Sequence, residues 1–305
     1  MWLMTNRIAG LGLAVALLVL AVQPTVSAWG MDVHRLITRR AIEGLPADVK
    51  PFFMAQADFI VEHSVDPDLW RVPDLTGKLG NEEPNHFLDF DGFKDPFPFT
   101  NVPREWDAVV QKYGLALANR NGRLPWRTEE MFDRLVTTFT SMKGNAPTYA
   151  ADNARYLSAL VAHYVEDAHQ PFHAVENYDG QLTNQRGIHS RFETELVLRN
   201  RNALTLTPVV ISPIADIRTF VFDALLDDQQ YVPTILAADK QAADGREPRS
   251  DAYFAAFAKN GALAIAEKRV SDSASAVASV WIAAWTKAGK PALGGPVRAS
   301  AQVRQ

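Results

Sequence analysis

Apolar residues recur at steps of three and four over most of the chain, the period of helices that pack by one face. From Tyr156 to Ala168 they form a wide stripe of Leu157, Leu160, Val161, Tyr164 and Val165, which predicts a buried helix ended by Pro171. Over Tyr253 to Thr286 the same steps run through Leu263, Ala266, Val270, Ala274, Val277, Trp281 and Ala284, and predict one long packed helix. Shorter periodic stretches predict helices from His34 to about Leu45, with Ile37, Ala41 and Ile42 inside, and over Pro46 to His63, 103–119, 126–142, 148–168, Ile214 to Leu226 and Tyr231 to Ala243. Gly122, Pro125, Gly144 and Pro147 supply the breaks. Asn200 to Pro213, apolar and β-branched, reads either as a short extended connection or as a poor helix. Residues 64–102 are rich in Pro and Gly, and a loop that long inside a domain is usually functional or disordered. No fixed-period repeat, sustained heptad or internal linker interrupts the pattern. The chain reads as all-α, a single multi-helix domain.

Composition adds bounds. The 305 residues are 47% apolar and 22% charged, enough for a sizeable core. Arg7, an apolar run from Ile8 to Val22 and the small residues Val26-Ser27-Ala28 have the form of a secretory signal peptide. This reading makes 1–28 a leader, 29–288 the working domain, 289–305 a flexible tail, and the protein exported. The apolar run is shorter than the roughly 20 residues a span needs, and no later segment is long and apolar enough to cross a bilayer. The net charge of −4 gives no polybasic footprint for duplex DNA or an anionic bilayer. With no cysteine, any metal has to be held by His, Asp, Glu or backbone atoms. A monomer is expected.

The candidate chemistry lies between residues 163 and 193, which hold four of the seven histidines: His163, His169, His173 and His189. His163 and Asp167 stand four apart on one helical face, and His189 and Glu193 repeat that spacing. A single such pair is usually a surface contact. Two of them with His173 between offer the imidazole nitrogen and carboxylate oxygen that suit zinc. Upstream, His34 opens a helix just past the expected cleavage site. Cleavage there would free an α-amino group at Trp29, whose pKa of about 7.7–8.0 lets it lose a proton to a metal. The loop adds Asp66, Asp68 and Arg71, and then His86-Phe87-Leu88-Asp89-Phe90-Asp91.

Taken together, Trp29-x4-His34, Asp68-x2-Arg71, His86-Phe87-x-Asp89-x-Asp91, His163-x3-Asp167-x-His169-Gln170-Pro171-x-His173 and His189-x2-Phe192-Glu193 resemble the zinc-dependent phospholipase C family and its relatives, the single-strand-preferring zinc nucleases. The resemblance covers roughly half the chain, from Trp29 to Glu193. It implies an all-α domain with a metal cluster at the bottom of a cleft, and three zinc ions. One would be held by Asp68, His86, His163 and Asp167. A second would take His173, His189 and Glu193. The third would take the amine and carbonyl of Trp29, His34 and the other oxygen of Asp167. Asp68 would double as general base, with Asp66 in reserve as the ligand, and His169 would be a packing residue.

The implied reaction is hydrolysis of a phosphodiester by a zinc-bound hydroxide. Glu193 as last ligand and the His-Phe-x-Asp-x-Asp loop are closer to phospholipases, as is Asp179-Gly180-Gln181 where nucleases often carry Gly-Gly-Asn. A phospholipid is therefore the first expected substrate. Trp29-x4-His34 and Asp68-x2-Arg71 favour the alternative, single-stranded nucleic acid or nucleotides, with Phe87 stacking a base. A zinc-binding protein of the same fold without turnover is the third reading.

Overall fold

One helix sits at the middle of the molecule, and the others are arranged around it. The computed structural model describes residues 29–71, 80–144, 146–147 and 149–293. The expected leader, 1–28, and most of the expected tail, 294–305, lie outside the described residues. In chain order the α-helices are α1 (Met31–Glu43), α2 (Lys50–Met54), α3 (Ala57–His63), α4 (Asp66–Leu69), α5 (Trp106–Tyr113), α6 (Leu115–Asn121), α7 (Leu124–Ser141) and α8 (Ala150–Asp167). They continue with α9 (Ile188–Ser190), α10 (Val197–Arg199), α11 (Ile217–Gln229), α12 (Val232–Ala243), α13 (Asp251–Phe257) and α14 (Leu263–Lys287). Single 3-10 turns span Glu83–His86, Phe90–Phe93 and Pro171–Ala174, and π-helical turns span Arg191–Leu196 and Ala258–Ala262. There is no strand among the described residues, and one continuous hydrophobic core joins the helices.

The central element is α8, packed against α7, α14, α3 and α1. Every residue from Ser158 to Val175 is buried. From Ser158 on, α8 has no solvated face for its polar residues, so His163, Glu166 and Asp167 need partners inside the protein. Alanines at 154, 159, 162 and 168 let the neighbouring helices approach. Trp281 of α14 donates its indole N–H to the Ser158 carbonyl (2.9 Å) and stacks on Phe53 at 4.7 Å.

Where the elements differ from the expectation, local geometry gives the reason. Pro46–His63 is two helices, because Gln56 leaves helical dihedrals (φ −139°) between α2 and α3. That break lets Phe52 and Phe53 face the core along with Ala57, Ile60 and Val61. The expected helix over 103–119 is divided into α5 and α6 at Gly114. Pro125 starts α7 in its first turn, where a missing N–H is harmless. The long helix expected over Tyr253–Thr286 is interrupted at Gly261 (φ 107°), so that α13 and α14 are separate elements.

Residues 204–214 run without helix over α14. The N–H groups of Thr205, Thr207, Val210 and Ser212 donate to Glu267 Oε1, Ser271 Oγ, Ser275 Oγ and Ser279 Oγ, at 2.6, 3.1, 3.2 and 3.0 Å. Acceptors four apart on a helix recur about every 6 Å, close to two residues of extended chain, so a helix face can satisfy a non-helical backbone. The N–H groups of Gly289 and Lys290 close α14 on the carbonyls of Thr286 and Trp285, and Trp285 Nε1 donates to the Pro291 carbonyl.

Gly122 holds the approach to the histidine-bearing loop. It has φ 101°, and a Cβ there would lie 2.0 Å from the Phe87 carbonyl oxygen. Gly122→Ala is therefore expected to destabilise the fold by about 2–4 kcal/mol through strain and displacement of the 86–88 backbone. A urea midpoint unchanged from wild type would show that the loop yields freely.

Candidate metal centre

Six separate pieces of the chain bring donors to one buried region. The first turn of α1 carries His34, α4 carries Asp68, and the 3-10 turn Glu83–His86 ends on His86. The last turns of α8 carry His163 and Asp167. After α8, the Gln170 side chain accepts the Phe172 N–H (2.6 Å) and Pro171 opens the short turn that presents His173. The last piece places His189 on α9 and Glu193 in the π-helical turn, a form of helix that recurs at functional sites.

The ligand atoms fall into three groups, each with all its atoms within 4.8 Å of one another: His34, His163 and Asp167; Asp68, His86 and His163; and His173, His189 and Glu193. Around the second group, His163 Nε2 lies 3.0 Å from His86 Nδ1, 3.3 Å from Asp167 Oδ2 and 3.9 Å from Asp68 Oδ1. His86 Nδ1 lies 2.9 Å from Asp167 Oδ2 and 3.8 Å from Asp68 Oδ1. Four donors about 2.0–2.1 Å from a tetrahedral ion are separated by about 3.3 Å, the middle of that range. The other Asp167 oxygen, Oδ1, faces His34 Nε2 at 3.6 Å and His173 Nδ1 at 3.7 Å. In the third group His189 Nε2 stands 3.3 Å from His173 Nε2 and 2.9 Å from Glu193 Oε2.

The surroundings fit a cation. His163 Nδ1 donates to the Ser64 carbonyl (2.8 Å), His189 Nδ1 to the Tyr178 carbonyl (3.1 Å) and His34 Nδ1 to Glu166 (2.5 Å). With Nδ1 carrying the proton, the Nε2 lone pair of each neutral ring is left facing the donors. His34 Nε2, His173 Nδ1 and Asp167 Oδ1 are buried without a hydrogen-bond partner. Four buried carboxylates (Asp68, Glu166, Asp167 and Glu193) stand against one guanidinium, Arg71, which pairs with Asp68. Three formal negative charges therefore need compensation among buried groups, which dications or protonated histidines supply. These buried groups converge closely enough to hold a metal ion.

No protein-family model and no curated protein matches the chain.

The remaining expected residues are placed as follows. Asp68, and not Asp66, reaches the groups. Asp66 instead accepts hydrogen bonds from His63 (2.7 Å) and Tyr156 (3.2 Å). His169 donates to the Val165 carbonyl (2.7 Å) and packs near Phe220, as a packing residue does. Trp29 is fully buried beside Phe192, with its indole N–H on the Glu166 carbonyl (2.9 Å). Phe87 is half-buried against Gly122. Asp89 and Asp91 brace their loop: the Asp89 N–H donates to the Asn121 carbonyl, and Asp91 Oδ1 accepts the Glu176 N–H. Sequence reasoning passed over Glu166 and over Gln170, whose amide nitrogen lies 2.9 Å from both Glu193 Oε2 and His189 Nε2. The one signal for Glu166 was a second acidic residue next to Asp167 at the end of an apolar helix.

Burial and charge set the protonation of the region. Burial would raise Asp68 and Asp167, but neighbouring groups, His163 first, hold both below the ordinary carboxylate range. Burial would lower His163; Asp167 reverses this and lifts it to about 9. Burial lowers His173 to about 3. Burial raises Glu193 to about 7, against the pull of His189. In the metal-free chain a raised carboxyl favours the folded state below its ordinary value, and that contribution is lost as pH climbs from about 4.5 to about 7. For a metal the sign is opposite, since Glu193 must shed its proton to bind. Zinc affinity at the His173/His189/Glu193 group is expected to rise with pH through neutrality, in titrations on a pH series, because Glu193 and also His189, which burial would lower but Glu193 raises, must each shed a proton to bind. Affinity that ignores pH there would remove Glu193 from the ligands.

Proposed function

We propose that this chain is a zinc-dependent phosphodiester hydrolase of the phospholipase C and single-strand nuclease type, acting first on phospholipid. The observation that carries the reading is the Asp167 carboxylate, with one oxygen toward His86 and His163 and the other toward His34 and His173. A side chain bridging adjacent donor groups is the arrangement a cluster of metal ions needs. The residues that would hold three zinc ions are Asp68, His86, His163 and Asp167; His173, His189 and Glu193; and His34, Asp167 and Trp29. When bound, such ions supply a hydroxide near neutral pH and stabilise charge on the phosphoryl oxygens.

The chain's own groups divide the rest of the work. Asp68, kept ionised by His163 and Arg71, would orient the attacking water by accepting its hydrogen bond; the same pairing makes it a weak acceptor of the proton itself. The Ser64 and Tyr178 carbonyls fix the rings of His163 and His189, so the lone pairs do not turn away. Burial of the donors excludes bulk water and strengthens each charge interaction.

Exposed apolar side chains on the segments that carry the donors support a phospholipid over a polyanion. Leu69, next to Asp68, is 60% exposed, and Leu182 is 67% exposed in the loop after Tyr178. The Tyr178 ring lies 6.3 Å from that of His189. The overall charge of −4 gives no broad attraction for nucleic acid. The Asp68–Arg71 pair is the feature that favours the nuclease reading. The test is the protein beginning at Trp29, assayed with phosphatidylcholine micelles and with single-stranded DNA, each with and without chelator. Chelator-sensitive release of diacylglycerol is expected. Turnover of DNA alone would replace the substrate, and turnover of neither with zinc bound would leave a zinc-binding protein.

A further inference from the structure

Glu166 is a buried carboxyl with both oxygens engaged by α1: Oε2 lies 2.5 Å from His34 Nδ1, and Oε1 accepts the Thr38 hydroxyl at 2.6 Å. Its backbone carbonyl accepts the Trp29 indole N–H at 2.9 Å. Three side chains of the N-terminal segment thus meet one residue of α8, immediately before Asp167. His34 lies between the two carboxyls, with Nδ1 on Glu166 and Nε2 3.6 Å from Asp167 Oδ1. The ring also stacks on that of His163, with centroids 4.2 Å apart.

We propose that Glu166 is a positioning residue for the His34/Asp167 zinc position, acting through His34 without touching an ion. A carboxylate on Nδ1 fixes the tautomer that leaves Nε2 unprotonated, makes that nitrogen a better donor, and stops the ring rotating away. The Thr38 hydroxyl locks the carboxylate in turn. The same contacts clamp the start of α1 to α8, so the segment bearing Trp29 and the His34 donor are placed by one side chain. This rests on the zinc-cluster reading proposed above.

The test separates charge from geometry. Glu166→Gln keeps an acceptor for His34 Nδ1 and a donor for Thr38 while removing the charge. Wild type, Glu166→Gln, His34→Ala and the double variant are titrated with zinc against a competing chelator, and the His34 tautomer is read from imidazole nitrogen shifts. Glu166→Gln is expected to weaken one zinc equivalent by about 10–100-fold with the tautomer retained. In the His34→Ala background it is expected to change zinc binding no further. Should Glu166→Gln fail to fold, Thr38→Val, which removes only the locking donor, is expected to weaken that same equivalent by about 2–10-fold. Zinc affinities within twofold of wild type in a folded Glu166→Gln or Thr38→Val variant, or additive effects in the double variant, would overturn the role of Glu166 alone. A wild-type chain that takes up no zinc would overturn the cluster and this inference together.

Discussion

Asp167→Asn is expected to lower the zinc content by more than one ion per chain, measured by elemental analysis after gel filtration. The residue faces two donor groups at once: Oδ2 is 2.9 Å from His86 Nδ1 and 3.3 Å from His163 Nε2, while Oδ1 is 3.6 Å from His34 Nε2. Asparagine keeps the shape but offers one oxygen, and its NH2 cannot ligate. Its loss also removes the charge that lifts His163 to about 9, so the histidine on which two groups converge is altered as well. A buried structural zinc is typically worth about 10–16 kcal/mol of apparent binding free energy, so losing a shared ligand weakens occupancy of both positions. Zinc content equal to wild type would refute the bridging role.

Removing zinc from the intact protein is expected to produce the second large effect, a fall in thermal stability. The region encloses Asp68, Glu166, Asp167 and Glu193 against Arg71, and burial leaves the excess charge poorly screened there. Without a cation the chain has to recruit protons onto histidines or Glu193, or open. Ligand linkage at a thousandfold excess over the dissociation constant contributes about 4 kcal/mol, which for a domain of this size corresponds to roughly 8–16 °C in melting temperature. Zinc binding at neutral pH should also release protons, because His163 is held at about 9 by Asp167 and must give one up. Calorimetric melts with and without chelator, and zinc titration in two buffers of different ionisation enthalpy, read the two effects. A melting temperature indifferent to chelator in a protein shown to carry zinc would mean the charges are balanced some other way.

The all-helical fold was legible because helical periodicity is a local property. The helix ending before Pro171 and the stripe of α14 follow from side chains three and four apart. What local pattern misjudged were the breaks. Gln56 and Gly261 interrupt helices whose apolar periodicity runs on, because packing against the rest of the core decides the turn there. Residues 200–213 stayed ambiguous in sequence, since their hydrogen-bond acceptors lie on α14, more than sixty residues away. The serines at 271, 275 and 279 serve as acceptors only once that segment lies over them.

The sequence by itself determined which side chains are chemically able to bind a metal, and how His163 pairs with Asp167 and His189 with Glu193, because one helical turn fixes a spacing of four. Only the tertiary structure decided that His34, Asp68 and His86 join them, that Asp68 and not Asp66 is the one turned inward, and that Glu166 stands behind His34. Those relations join α1, α4, the 83–86 turn and α8, which meet only when the core is packed; a spacing rule reaches no further than the next turn of its own helix.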